Sequence, residues 1–78
     1  MIKELDTVVL THDLKEHGLK RGDIGAVVHC YRKGTAFEVE FVTGEGRTVA
    51  VLTLTGEDLR PLGKKEILHV REISPSPA

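Results

Sequence analysis

A single cysteine, Cys30, no tryptophan, no asparagine and no glutamine occur in these 78 residues. One cysteine rules out an intramolecular disulfide, and with it the small disulfide-stapled scaffolds. The missing amides follow a trend of heat-adapted proteins, but at this length genome composition accounts for them equally well. No apolar run approaches membrane-spanning length, and the stretch MIKELDTVV carries charges where a signal peptide has its apolar segment. The expected compartment is the cytoplasm, with no membrane attachment. An excess of either charge is also missing: eleven basic and twelve acidic residues leave a net charge of −1. The basic pairs Lys20-Arg21, Arg32-Lys33 and Lys64-Lys65 each have a carboxylate nearby, so counterion-release binding to nucleic acid is disfavoured.

What is present is an ordinary globular composition, 40% hydrophobic and 29% charged, long enough for one domain. A chain of this length buries only roughly 60–65% of its unfolded surface. That leaves a thin core and little room for a deep catalytic cleft.

Short apolar runs recur between turn signals, the pattern of an all-β domain. DTVVLTH (6–12) is followed by the polar connection 13–23, then IGAVVHCY (24–31), the turn RKGT, AFEVEFV (36–42), the turn TGEGR, TVAVLTL (48–54), TGEDL as a tight or 3₁₀ turn, and RPL (60–62). In AFEVEFV the residues Phe37, Val39 and Phe41 alternate with Glu38 and Glu40, which makes it the clearest strand. The β-branched residues at 7–9 and 48–53 and the period of two argue against helix. Five strands, one long first loop and two hairpins give an all-β, five-stranded SH3-like barrel over residues 1–63. The expected core is Val8, Leu10, Ile24, Val28, Phe37, Val39, Phe41, Val49, Val51 and Leu59.

Two glycines guard the second strand. Gly22 suits the positive φ of a sharp turn, while Gly25, inside the strand pattern, marks a bulge or a close backbone approach. Beyond Gly63, KKEILHVREI (64–73) reads as an extra strand or a short extension. As a strand it would add to a sheet edge of its own barrel or of a second copy, which makes a homodimer through residues 64–73 an expectation. Residues 74–78 read as a disordered tail.

No catalytic constellation stands out, and the protein is not expected to be an enzyme. RGD at 21–23 is a turn, because an adhesion motif needs an exported protein. His29 and Cys30 are adjacent and point to opposite faces of a strand. His12 and His17 supply only two ligands, so neither a metal nor a cofactor is expected. Glu38 and Glu40 mark a solvated face. Loops carry function on rigid scaffolds, so the expected partner-binding residues are Asp13, Glu16, His17 and Arg21 of the long loop, with Tyr31 and Arg32 of the adjacent hairpin. The expected role is a non-catalytic module for a protein partner: regulatory, antitoxin-like or an accessory subunit. The alternative is RNA or ribosome association through Lys20, Arg21, Tyr31, Arg32 and Lys33. A small enzyme ranks last.

The run IKELDTVVLTHDL, then HGLKRGDIGAVVH, then AFEVEFVT with GRTVAVLTL, resembles the small bacterial proteins of domain of unknown function 4926 over residues 2–62. That resemblance implies a small SH3-like barrel with no assigned activity, and it leaves the tail uncovered. KRGDIGAVVHC is also similar to the turn-and-strand element of KOW-type SH3-like domains, which often contact RNA or ribosomal proteins. Fold-level likeness is a weak warrant for function.

Overall fold

The computed structural model describes residues 2–73; the tail 74–78, with the disorder expected of it, lies outside that range. Five antiparallel strands form one sheet: β1 (Thr7–Leu10), β2 (Ile24–Tyr31), β3 (Ala36–Val42), β4 (Thr48–Thr55) and β5 (Leu59–Pro61). Their order is β4-β3-β2-β1-β5. The fold is all-β, as the alternation requires, and compatible with a small SH3-like fold.

The sheet curls without closing its ladder. In a flat five-stranded sheet the outer strands would lie about 19 Å apart. The four residue steps from Thr55 on β4 to Leu59 on β5 span at most about 14 Å. A turn bond from Asp58 N–H to the Thr55 carbonyl, 3.0 Å, shortens the link further. The two edges must therefore bend toward each other.

Phe37, Val39 and Phe41 on β3 meet Leu54, Leu52 and Ala50 on β4 in register. With Val8, Leu10, Leu19, Val27 and Leu59 they form the core. Two expected core residues are corrected: Val28 is 44% exposed and Val51 47% exposed, while Val27 and Leu54 are buried instead. On β2 an irregularity between Val27 and His29 resets the alternation. Gly25 and Val27 face inward before it, and Cys30 packs against the core after it. On β4 both parities are apolar, so the partner decides: Val51 lies opposite Glu40 on the outer face. Ile24 and Val49 are only half-buried.

Gly25 is a close approach rather than the bulge itself. A Cβ there would stand 2.6 Å from Val39 Cγ1 and 2.8 Å from Phe41 Cε1. Gly22 has φ +93° and turns the long loop into β2 as anticipated. The hairpin between β2 and β3 is a short 3₁₀ turn, Arg32–Gly34, with Arg32 and Lys33 both left-handed.

The tail is corrected too. Residues 64–73 form no strand and pair with neither edge of their own sheet. They are an extension, held by side chains.

Candidate functional site

Register places Arg60, Val9 and Ile24 in one row across β5, β1 and β2. This row lies on the face opposite Val8 and Leu10, since strand neighbours alternate. Residues 63–73 cross it as a strap with a clamp at each end.

The first clamp is bidentate. Arg60 Nη1 and Nη2 donate to Glu66 Oε1 and Oε2, both at 2.7 Å. The Gly63 N–H donates to the same carboxylate at 2.6 Å, closing a tight turn. The Arg60 guanidinium, followed by the Gly63 N–H, brings the Glu66 carboxyl down to about 2.

The second clamp spans 48 positions. Arg71 Nε donates to Asp23 Oδ1 at 2.8 Å, and its Nη2 bonds Asp23 Oδ2 and, at 3.0 Å, the Gly18 carbonyl. Asp23 Oδ2 also accepts from the Lys20 N–H at 2.8 Å, so this carboxylate shapes the turn as well as holding the strap. Partial burial pushes the Asp23 carboxyl up, but Arg71 and the Lys20 N–H outweigh it and the net direction is down. The aspartate of the RGD tripeptide is thus engaged inside the molecule.

Between strap and sheet lies a cavity of about 460 Å³. Leu19, Ile24, Phe41 and Val49 line it on one side, Val70 and Ile73 on the other. The outer side of the strap is apolar and bare: Ile67 is 93% and Leu68 61% exposed, and Val70, at the open rim of the cavity, is 87% exposed.

The six anticipated site residues fall into two groups. Asp13 Oδ1 accepts from the Arg21 N–H at 2.9 Å, tying the two ends of the long loop together. Glu16 and His17 sit exposed on its 3₁₀ turn, Lys15–His17, which Gly18 ends in a left-handed conformation. Tyr31 and Arg32 leave the opposite end of β2, with about 23 Å of extended strand between the groups. Among the described residues no hydrogen bond or ion pair joins the groups. Lys20 is likewise remote from Lys33.

Tyr31 donates its hydroxyl to Glu38 Oε1 at 2.9 Å, an atom that also accepts from the Thr53 hydroxyl at 3.0 Å. Bonding to Glu38 raises the phenol's pKa. The His29 ring packs edge-on against Tyr31, centroids 4.5 Å apart. His12 forms a further link: Nε2 meets Asp58 Oδ1 at 2.7 Å and Nδ1 meets the Asp13 carbonyl at 3.0 Å. Both nitrogens can donate only in the imidazolium form, so the Asp58 carboxylate and then the Asp13 carbonyl raise the His12 pKa.

The strap residues Glu66, Ile67, Leu68, Val70 and Arg71 were not among the anticipated site residues. The one signal in the sequence is four large apolar residues in a segment bounded by Gly63 and Pro75.

The model of the domain of unknown function DUF4926 matches residues 4–61. The chain belongs to the DUF4926 family. In this DUF4926 protein the clamp receptors Asp23 and Arg60 lie inside the matched domain, while Glu66 and Arg71 lie beyond it. No curated protein and no solved structure matches the chain. Among the described residues no helix is long and apolar enough to cross a membrane.

Proposed function

We propose that this DUF4926 protein is a non-catalytic cytoplasmic interaction module that binds a protein partner through the outer side of its C-terminal strap. The role is regulatory, antitoxin-like or that of an accessory subunit. One observation carries the reading: Ile67, Leu68 and Val70 face solvent on a segment clamped at Glu66 and Arg71. A free tail could fold such residues away; a clamped one presents them. Contiguous exposed apolar residues on a small protein mark a docking surface, and a held strap has less ordering entropy to lose on binding. Self-association through residues 64–73 is the competing use of the same surface.

The loop group Asp13, Glu16, His17 and Arg21 flanks the strap at Asp23 and supplies a polar rim, while Tyr31 and Arg32 stand apart from it. RNA association has less support. Tyr31 is bonded to a carboxylate, which repels phosphate, and the basic residues of that reading are divided between the two ends of β2.

Heparin chromatography combined with co-purification tests this reading. Low-salt elution from heparin together with one stoichiometric protein partner is the expected result. Retention on heparin to high salt would favour nucleic acid and contradict it.

A further inference from the structure

The two edges of the sheet are treated differently. β5 is three residues long and carries Arg60 and Pro61, and the Arg60–Glu66 clamp lies against it. Short length, charge and proline are the usual means of blunting an edge. β4 has none of them: its eight residues, TVAVLTLT, contain no charge, proline or glycine. Its first turn is irregular, with Val49 the extra residue between the pairs Phe41↔Ala50 and Val42↔Thr48. From Ala50 onward the strand is regular. At its far end the Thr55 N–H leaves the sheet to bond Asp58 Oδ2 at 2.9 Å. Backbone direction alternates along a strand, so Thr53 and Val51 also point their N–H and C=O off the open edge.

From this we propose that β4 is a self-association edge: two copies of the chain pair β4 against β4 antiparallel across a two-fold axis at Leu52. Val51 then lies opposite Thr53 of the second copy, and the two residues of each chain exchange their free N–H and C=O groups. The result is a continuous ten-stranded sheet. A second copy is the occupant because this edge is self-compatible. A two-fold axis brings an edge onto itself, so a charge on it would meet a like charge, and β4 carries none. The nearest like charges, Glu38 and Glu40, sit one strand in. Their copies would be about 14 Å away, beyond the Debye length at physiological salt. Val49 at the start of β4 lines one cavity with Val70, but the pairing residues Val51 to Thr53 are distinct from the strap residues Ile67, Leu68 and Val70, so either proposal can fail without the other.

Sedimentation velocity of the full chain, with amide hydrogen exchange followed over a concentration series, tests the proposal. A dimer is expected in which the Val51 and Thr53 amides slow at least ~10-fold as concentration rises. The Thr55 amide, already bonded to Asp58, should not respond. The double variant V51K/T53K places lysine opposite lysine across the axis, while within each chain the new lysines lie beside Glu40 and Glu38. It should raise the dimer dissociation constant at least ~10-fold with the monomer still folded. Thr53→Pro, which removes the outward N–H together with the exposed hydroxyl bond to Glu38, should act the same way. The strap variant I67S/L68S/V70S should remain dimeric. A wild-type monomer at every concentration would overturn the proposal. So would a dimer with freely exchanging Val51 and Thr53 amides, or one that only the strap variant dissolves. Protection that appears only with a different polypeptide would overturn it as well.

Discussion

Arg71 and Asp23, 48 positions apart in the chain, share two hydrogen bonds, and Arg71 adds a third to the Gly18 carbonyl. This contact ties a segment outside the DUF4926 match to the turn that opens β2. Side-chain exposures of 28% and 17% put the pair between a surface bridge and a buried one. A partly screened, bidentate pair of this kind contributes about 1 kcal/mol.

Arg71→Ala should therefore lower stability by about 1 kcal/mol and accelerate tryptic cleavage at Lys64 and Lys65. Asp23→Ala should cost more, because it also removes the acceptor of the Lys20 N–H. In a double-mutant cycle the two changes should be non-additive. Full additivity, with unchanged tryptic cleavage, would mean that the strap is not held by this pair.

Gly25→Ala is expected to be more damaging than Gly46→Ala, for a reason of space rather than of φ. Its Cβ would meet Val39 and Phe41 below 3 Å, while Gly46 has φ +88° but open surroundings. Overpacking of this kind costs about 1–3 kcal/mol, against about 1–2 kcal/mol for a non-glycine residue in the left-handed region. Urea midpoints of the two variants compare them directly, and equal shifts would refute the close approach.

The phase of the sheet is tested by three substitutions. Phe41→Ala should lose about 3–5 kcal/mol, enough to threaten so small a domain. Val51→Thr and Val28→Thr, both on exposed positions, should stay within about 0.5 kcal/mol of wild type. A large loss at Val51 or Val28 would restore the inward phase that simple alternation suggests.

β3 could be read without ambiguity because its apolar residues are separated by glutamates. β4 could not, since Val49, Ala50, Val51, Leu52 and Leu54 are apolar on both parities, and only pairing with Phe37, Val39 and Phe41 selects a face. The irregularity at Val28 leaves no mark in a run of β-branched residues. The tail was legible as an apolar segment but not as a strap: its partners, Arg60 and Asp23, lie 6 and 48 positions away. The bounds of β2, 24–31, were legible in the run IGAVVHCY, and that length sets the long loop and the pair Tyr31 and Arg32 at its opposite ends.

Acid should loosen the strap. The Glu66 carboxyl lies at about 2 against an ordinary 4.5, and those of Asp23 and Asp58 are lowered as well. Stability from such depressed carboxyls is present above the ordinary value and is lost as pH falls toward the folded one. The melting temperature should therefore drop between about pH 4.5 and 2, and Glu66→Gln should remove part of that drop. His12 has the opposite sign. Its raised pKa gives a contribution complete below 6.5 and lost as pH rises through the folded value. His12→Ala should flatten the melting curve above about pH 6.5. An unchanged profile in both variants would contradict these assignments.

The most direct measurement is the affinity of the co-purified partner for three forms of the full chain: wild type, I67S/L68S/V70S, and the loop variant E16A/H17A. All three should melt alike, since every altered side chain is exposed. The strap reading predicts that the triple variant loses at least about 2 kcal/mol of binding free energy, as anchor residues do, while the loop variant loses under about 1. Binding retained by the triple variant and abolished in the loop variant would contradict it.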